Sequence, residues 1–236
     1  MKTICIGDIH GRDTWKQIVT QENADRIIFI GDYFDSFTIK AEKQMNNFLD
    51  IIAFKESSSN KEVILLIGNH DIHYFPEIKD TATSGYQERY AFSIKMLMNA
   101  NRKHLQMAYQ MGEFIFTHAG VSSEFMDNNF EAWTVDTMVE QLNELFKYQP
   151  QKFVFNRNGL SSYGDDTFQT PIWIRPKSLM AANKKTLRKK IIQIVGHTQV
   201  ATIDISKKTT GGRYYFIDCP KEYLVIENNK ITKGIV

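Results

Sequence analysis

The 236-residue sequence predicts an α/β (α+β) fold in which two β-sheets pack face to face with helices outside. Three observations predict it. Strand-like and helix-like segments alternate through the first half. The early strand candidates Ile4–Ile6, Ile27–Ile30 and Val63–Ile67 are unbroken apolar runs, as strands buried on both faces require. The C-terminal part consists of short apolar segments separated by turn residues, which predicts an antiparallel second sheet.

The elements follow in order. A strand over Thr3–Ile6 leads to a helix near Thr14–Gln21, then a strand over Arg26–Ile30. The next helix, near Lys40–Phe54, carries Met45, Phe48, Leu49 and Ile52 as an apolar stripe at helical spacing. Ser57-Ser58-Ser59-Asn60 is a polar turn before the strand Val63–Ile67. This β-α-β-α-β order predicts parallel strands. A helix over Gln87–Asn99 and a strand over Phe114–Thr117 come next. Ser122–Gln149 reads as helical, with Thr134 as an N-cap and Val135, Met138, Val139, Leu142, Leu145 and Phe146 as the buried stripe. Residues 150 to 171 have no clear period. A loop of that length within a compact domain is often functional, and this one precedes Arg175, so it is read as facing substrate. Strands are expected over Ile191–Val195, Ala201–Ile205, Arg213–Ile217, Tyr223–Ile226 and Ile231–Val236. No internal repeat or linker divides the chain, so residues 1–236 are expected to form a single domain.

Composition is that of an ordinary globular protein, 42% hydrophobic and 24% charged. A net charge of +2 gives no support for a nucleic-acid partner. Cys5 and Cys219, the two cysteines, both fall in strand candidates and read as small core residues rather than a disulfide framework. No apolar run reaches the roughly 18 residues of a membrane span. The N-terminus shows no signal-peptide pattern. A cytoplasmic location is the expectation.

Five short motifs carry the chemistry. They are Gly7-Asp8-Ile9-His10-Gly11, Gly31-Asp32-Tyr33-Phe34-Asp35, Gly68-Asn69-His70-Asp71, Thr117-His118-Ala119-Gly120 and Gly196-His197-Thr198. Four of the six histidines lie within them. At least three motifs directly follow a strand candidate, and ligands at the ends of several strands converge on one sheet edge. Asp8, Asp32, Asn69, His10, His118 and His197 offer oxygen and nitrogen without sulfur. That set suits manganese, iron or zinc better than calcium. Six ligands exceed the needs of one catalytic ion. They suffice for two ions about 3.5 to 4 Å apart that share a bridging carboxylate.

The ordered set resembles the calcineurin-like metallophosphoesterases, and within them the phosphoprotein-phosphatase branch, in the bacterial and phage form related to diadenosine tetraphosphatases. The motifs span residues 7 to 198, most of the chain. The resemblance implies that Asp8 and His10 bind one metal, Asp32 bridges both, and Asn69, His118 and His197 complete the second. It implies two divalent ions, manganese first among the candidates. His70 would protonate the leaving group, held by Asp35 in a carboxylate–imidazole pair. Arg175, in Ile172-Trp173-Ile174-Arg175-Pro176, resembles the arginine that grips substrate phosphate. One departure stands out: where eukaryotic protein phosphatases continue the second motif with Arg-Gly, this chain has Ser36-Phe37. Arg12 is a candidate replacement.

The implied activity is hydrolysis of phosphate monoesters by attack of a metal-bound hydroxide, on a phosphorylated small molecule, nucleotide or phosphoprotein. Alternatives on the same site are a dinucleoside-polyphosphate or other nucleotide hydrolase and a phosphodiesterase. A non-catalytic binding module on the same fold is the rival from another class. Among the remaining polar residues, Asp71 reads as a turn or cap residue, and His73 as a loop histidine satisfied by water. Tyr214 and Asp218 read as structural. The basic run over residues 184 to 190 reads as a solvated helix face, with steering of an anionic substrate as the alternative.

Overall fold

The computed structural model describes residues 1–79, 84–157, 161, 163–182, 191–206 and 213–236. The basic run over residues 184 to 190 therefore lies outside the described residues. So do residues 158 to 160 and 162 of the 150–171 loop.

The first half builds as its apolar runs dictate. Strands β1 (Lys2–Ile6), β2 (Arg26–Phe29) and β3 (Glu62–Leu66) are parallel, joined by helices α1 (Trp15–Glu22) and α2 (Ala41–Ser57). One turn of helix, α3 (Asn69–Ile72), follows β3. A 3-10 turn at Glu88–Tyr90 runs into α4 (Ala91–Ala100). Two short strands that the sequence reading lacked come next, β4 (Leu105–Gln106) and β5 (Ala108–Met111), followed by β6 (Phe114–Thr117). The middle region is helical as expected but divided into α5 (Ser123–Asn129) and α6 (Val135–Tyr148). Thr134 caps α6, its side chain accepting the Thr137 N–H. Helix α7 (Pro176–Ala182) precedes β7 (Ile192–Val195), β8 (Tyr214–Phe216), β9 (Glu222–Glu227) and β10 (Lys230–Ile235).

Two sheets result, with strand orders β10-β9-β1-β2-β3-β4 and β5-β6-β7-β8. Alternation along each strand shows how they pack. Cys5, Ile28, Ile30, Ile64 and Leu66 of the first sheet meet Phe114, Phe116, Ile194 and Tyr215 of the second. The opposite side chains, Ile4, Ile27, Phe29 and Leu65, pack on Trp15, Ile18, Phe48 and Ile51 of the helices. Both faces of the central strands are buried, which is why their sequences are continuous apolar runs. Cys5 and Cys219 are free and buried in the core between the sheets. No helix among the described residues is long and apolar enough to cross a membrane.

Four expectations are corrected. The second sheet is mixed: β5 is antiparallel to β6, whereas β6, β7 and β8 are mutually parallel. The antiparallel hairpin β9–β10 returns to the first sheet beside β1. Ala201–Ile205 forms no strand. On α2 the buried stripe is Ala41, Gln44, Asn47, Phe48, Ile51 and Ile52, whereas Leu49 is 45% exposed. Gln44 and Asn47 are on that stripe because they bond to loops: Gln44 accepts the Ser36 N–H, and Asn47 joins Trp15 Nε1 to the Arg12 carbonyl.

Candidate metal centre

The C-terminal ends of β1, β2, β3, β6 and β7 deliver all five motifs to one edge of the sandwich, the place where open α/β sheets put their sites. The loops interlock there. His10 N–H donates to the Asp32 carbonyl at 2.6 Å and Gly11 N–H to that of Tyr33 at 3.0 Å. Gly196 N–H donates to the His118 carbonyl at 2.8 Å. Two motif glycines are demanded by close approach. A β-carbon on Gly68 would lie 2.0 Å from Asp32 Oδ1, and one on Gly196 would lie 2.2 Å from Asp8 Oδ1. His10, Asp32, Asp35 and His197 all hold left-handed backbone, at φ 42°, 52°, 64° and 62°. Every other non-glycine residue with positive φ among the described residues is an asparagine, for which that region is tolerated.

All six proposed ligands converge. Asp8, His10 and Asp32 each offer one ligand atom within 4.8 Å of the others. His118 Nε2 lies 2.9 Å from Asn69 Oδ1 and 3.4 Å from Asp32 Oδ2. His197 Nδ1 lies 2.8 Å from Asn69 Oδ1. The other nitrogen of each imidazole donates to a main-chain carbonyl: His10 Nδ1 to Phe34, His118 Nδ1 to Ile30 and His197 Nε2 to Trp173. Those bonds fix the tautomers, so that in the neutral rings a metal requires the inward nitrogens are the lone pairs. The lone pairs face the Asp32 carboxylate and the Asn69 carbonyl, which are also acceptors. Acceptors crowded together in this way fit a cation between them, so the donor set suits divalent metal with nitrogen and oxygen ligands.

The electrostatics follow from burial and close charge. Burial and the neighbouring Asp218 hold Asp8 well above the usual carboxylate range. Asp32 is also buried, yet the His118, His70 and His10 imidazoles outweigh that cost and hold it well below the range. Burial disfavours charge on His118, but Asp32 and Asp8 overcome it and push the imidazole up to about 9. Burial, with His118 and Arg175 nearby, keeps His197 neutral well below its ordinary value.

The catalytic candidates flank this cluster. His70 Nδ1 is 3.0 Å from Asp35 Oδ2. Burial opposes its charged form, but Asp32 and Asp35 raise its pKa nonetheless. Arg175 Nη1 donates to the His197 carbonyl and to Thr198 Oγ1, both at 3.1 Å, and its Nε to the Tyr163 carbonyl at 3.0 Å. Asp8, His10, Asp32, Asn69, His197, His70 and Arg175 line a cavity of about 370 Å³, together with Ser84, Tyr163, Trp173, Gln199 and Asp218, while His118 is buried behind them. Larger clefts of about 530 Å³ lie elsewhere, one of them lined by Met1, Arg26 and Met111, but the ligand cluster is in the smaller one.

Several residues differ from the sequence reading. Asp218 borders the cavity rather than serving a purely structural role, because β8 runs parallel to β7 and ends on the same edge. His73 is not a solvated loop histidine. It is buried, with Nε2 2.9 Å from Asp35 Oδ2. Asp71 is a loop-holding residue, as expected: its carboxylate accepts the N–H groups of Asp32, Tyr33 and Gly68 at 2.7 to 2.9 Å. Arg12 donates to the Asp8 carbonyl and is not among the cavity-lining residues. Of the 150–171 loop, Tyr163 reaches the cavity, while Gln169 ties back to Asn156.

Comparison with known proteins agrees with this geometry. A family model described as calcineurin-like phosphoesterase matches residues 1–215. Comparison with curated proteins returned no match. Among solved structures, a cold-active protein tyrosine phosphatase superposes with a TM-score of 0.70 at 16% identity, covering 99% of this chain and 77% of that one. The enzyme of that description from a psychrophilic Shewanella gives 0.65 at 15% identity, over 99% and 77%. A protein serine/threonine phosphatase from Saccharomyces cerevisiae gives 0.60 at 12% identity, over 100% and 80%.

Proposed function

Because the chain belongs to the calcineurin-like phosphoesterases, we propose that it hydrolyses phosphate monoesters at a two-metal site. The observation that carries this reading is the convergence of three inward-facing imidazole nitrogens on the Asp32 carboxylate and the Asn69 carbonyl. Asp8, His10 and Asp32 would hold one ion, and Asp32, Asn69, His118 and His197 the other. Divalent cations bound there, manganese first among the candidates, supply Lewis acidity to the phosphate and activate the attacking water.

The chain's own residues do the rest. Arg175 is fixed by its Nη1 and Nε bonds, so its remaining N–H groups are preorganised for a phosphate oxygen. Its placement costs little entropy on binding, because the side chain is already ordered. His70 holds its proton through Asp35 and stands at the cavity wall. From there it can protonate the departing alkoxide, which otherwise leaves as a poor leaving group. Trp173 and Tyr163 give the cavity an aromatic border for the organic part of the ester.

Removing the shared ligand tests the reading. Asp32→Asn should lower bound metal and turnover of a phosphomonoester together, and added manganese should restore the metal-stripped wild type. One tightly bound ion in a fully active enzyme, measured by elemental analysis, would rule out the two-metal site. No turnover of any phosphate ester with manganese present would favour a binding module.

A further inference from the structure

The Asp35 carboxylate is gripped by more donors than a simple carboxylate–imidazole pair requires. His70 Nδ1 lies 3.0 Å and His73 Nε2 2.9 Å from the same oxygen, Oδ2. Tyr74 donates its hydroxyl proton to the other oxygen, Oδ1, at 2.6 Å. That hydroxyl in turn accepts the Gln87 N–H at 2.9 Å. The His73 ring packs edge-on against both Tyr74 and Tyr86, at centroid distances of 4.4 and 5.0 Å. Tyr74 and Tyr86 stack at 5.2 Å. The carboxylate itself springs from a left-handed backbone position, φ 64°, and the carbonyl of the same residue is overlaid by Gly85, where an added β-carbon would meet it at 2.6 Å.

We propose that His73, supported by Tyr74, is a positioning residue for the Asp35–His70 pair. This rests on the reading of His70 as the proton donor. A carboxylate with one partner can swing about its side-chain torsions and carry that partner with it. Asp35 has the Tyr74 hydroxyl on Oδ1 and two imidazole nitrogens within 3.0 Å of Oδ2, so the direction of its bond to His70 is constrained from both oxygens. Proton transfer needs the donor within hydrogen-bond reach of the leaving oxygen, and misplacement by about 1 Å can cost on the order of 100-fold. His73 does not line the cavity, so its effect passes through Asp35. The tyrosine pair beside it explains why a buried imidazole is used there. The ring fills an apolar slot and still presents one N–H to the carboxylate.

The test compares wild type, His70→Asn, His73→Leu, His73→Asn and His73→Gln. Single-turnover rates with manganese are measured on an alkyl phosphate and on nitrophenyl phosphate, alongside metal content and melting temperature. The glutamine amide nitrogen can reach the position of imidazole Nε2, whereas the asparagine amide falls short. His73→Leu and His73→Asn should lose about 10- to 100-fold on the alkyl ester, the usual penalty for removing a supporting hydrogen-bond partner. They should lose distinctly less on nitrophenyl phosphate, and His73→Gln should recover most of the loss with metal content constant. Equal losses on both esters, or a His73→Gln no better than His73→Asn, would overturn the proposal. If His73→Leu does not fold, the Asn and Gln pair decides alone. Should His70→Asn show no dependence on leaving group, the proton-donor reading itself fails. Dependence in His70→Asn but none in the His73 variants sinks only the positioning role.

Discussion

At the residue scale, Arg175 links chemistry to loop structure. Its guanidinium holds the His197 carbonyl and Thr198 while facing the cavity, so on the proposed reading shortening it would remove a phosphate donor and slacken the loop of a proposed metal ligand together. Arg175→Ala should weaken inhibition by inorganic phosphate and lower kcat/KM by roughly 2 to 3 kcal/mol, the range for a charged hydrogen-bonding partner. Arg175→Lys should recover little, because an ammonium cannot reproduce the forked geometry. Unaltered phosphate inhibition in the alanine variant would remove Arg175 from the site. The six proposed ligands, His70, Asp35 and Arg175 could all be put forward from the sequence because each sits in or beside a short motif. Asp218 and His73 were not. Asp218 has no motif, and its meaning depends on the direction of β8. His73 acquires its role from Asp35, which is 38 positions away and reaches it only through the fold.

At the scale of elements, one latch ties the start of the chain to its end. Glu22, closing α1, pairs with Lys2 Nζ of β1 at 2.5 Å and accepts the hydroxyl proton of Tyr223 from β9. Burial alone would raise its pKa, but the bonds from Lys2 and Tyr223 outweigh burial and lower it. A lowered carboxyl pKa means that the stabilisation is present above the unfolded value, about 4.3, and is lost as pH falls through the lower folded value. Glu22→Gln should therefore melt below wild type at neutral pH, and the gap should close under acid conditions. A gap that persists at a pH low enough to protonate the carboxyl in both states would assign the effect to packing instead. Elements were legible where a local period existed, as in β6 or the Thr134 cap. The pairing of β7, β8 and β9 was not. Turn residues punctuate hairpins and crossovers alike, so strand direction is not written in any local pattern.

For the whole molecule, the sandwich explains why five separated motifs can act together. Two sheets with buried strands end on one edge, and each sheet contributes proposed ligands to it. That placement was legible from apolar runs followed by Gly-Asp, Gly-Asn and Gly-His steps. The left-handed backbone of His10, Asp32, Asp35 and His197 carries a consequence for heredity as well as for chemistry. Each such residue costs on the order of 1 to 3 kcal/mol, which glycine or asparagine would largely relieve at the expense of the function. Activity and stability thus pull these four codons in opposite directions. A variant library sorted for folding alone should enrich glycine or asparagine at positions 10, 32, 35 and 197, while sorting for phosphatase turnover should purge them. If folding selection leaves those positions unchanged, their side-chain bonds outweigh the backbone cost. If it does enrich them, a lineage relieved of catalysis would drift toward a sturdier, inert descendant with the same sandwich.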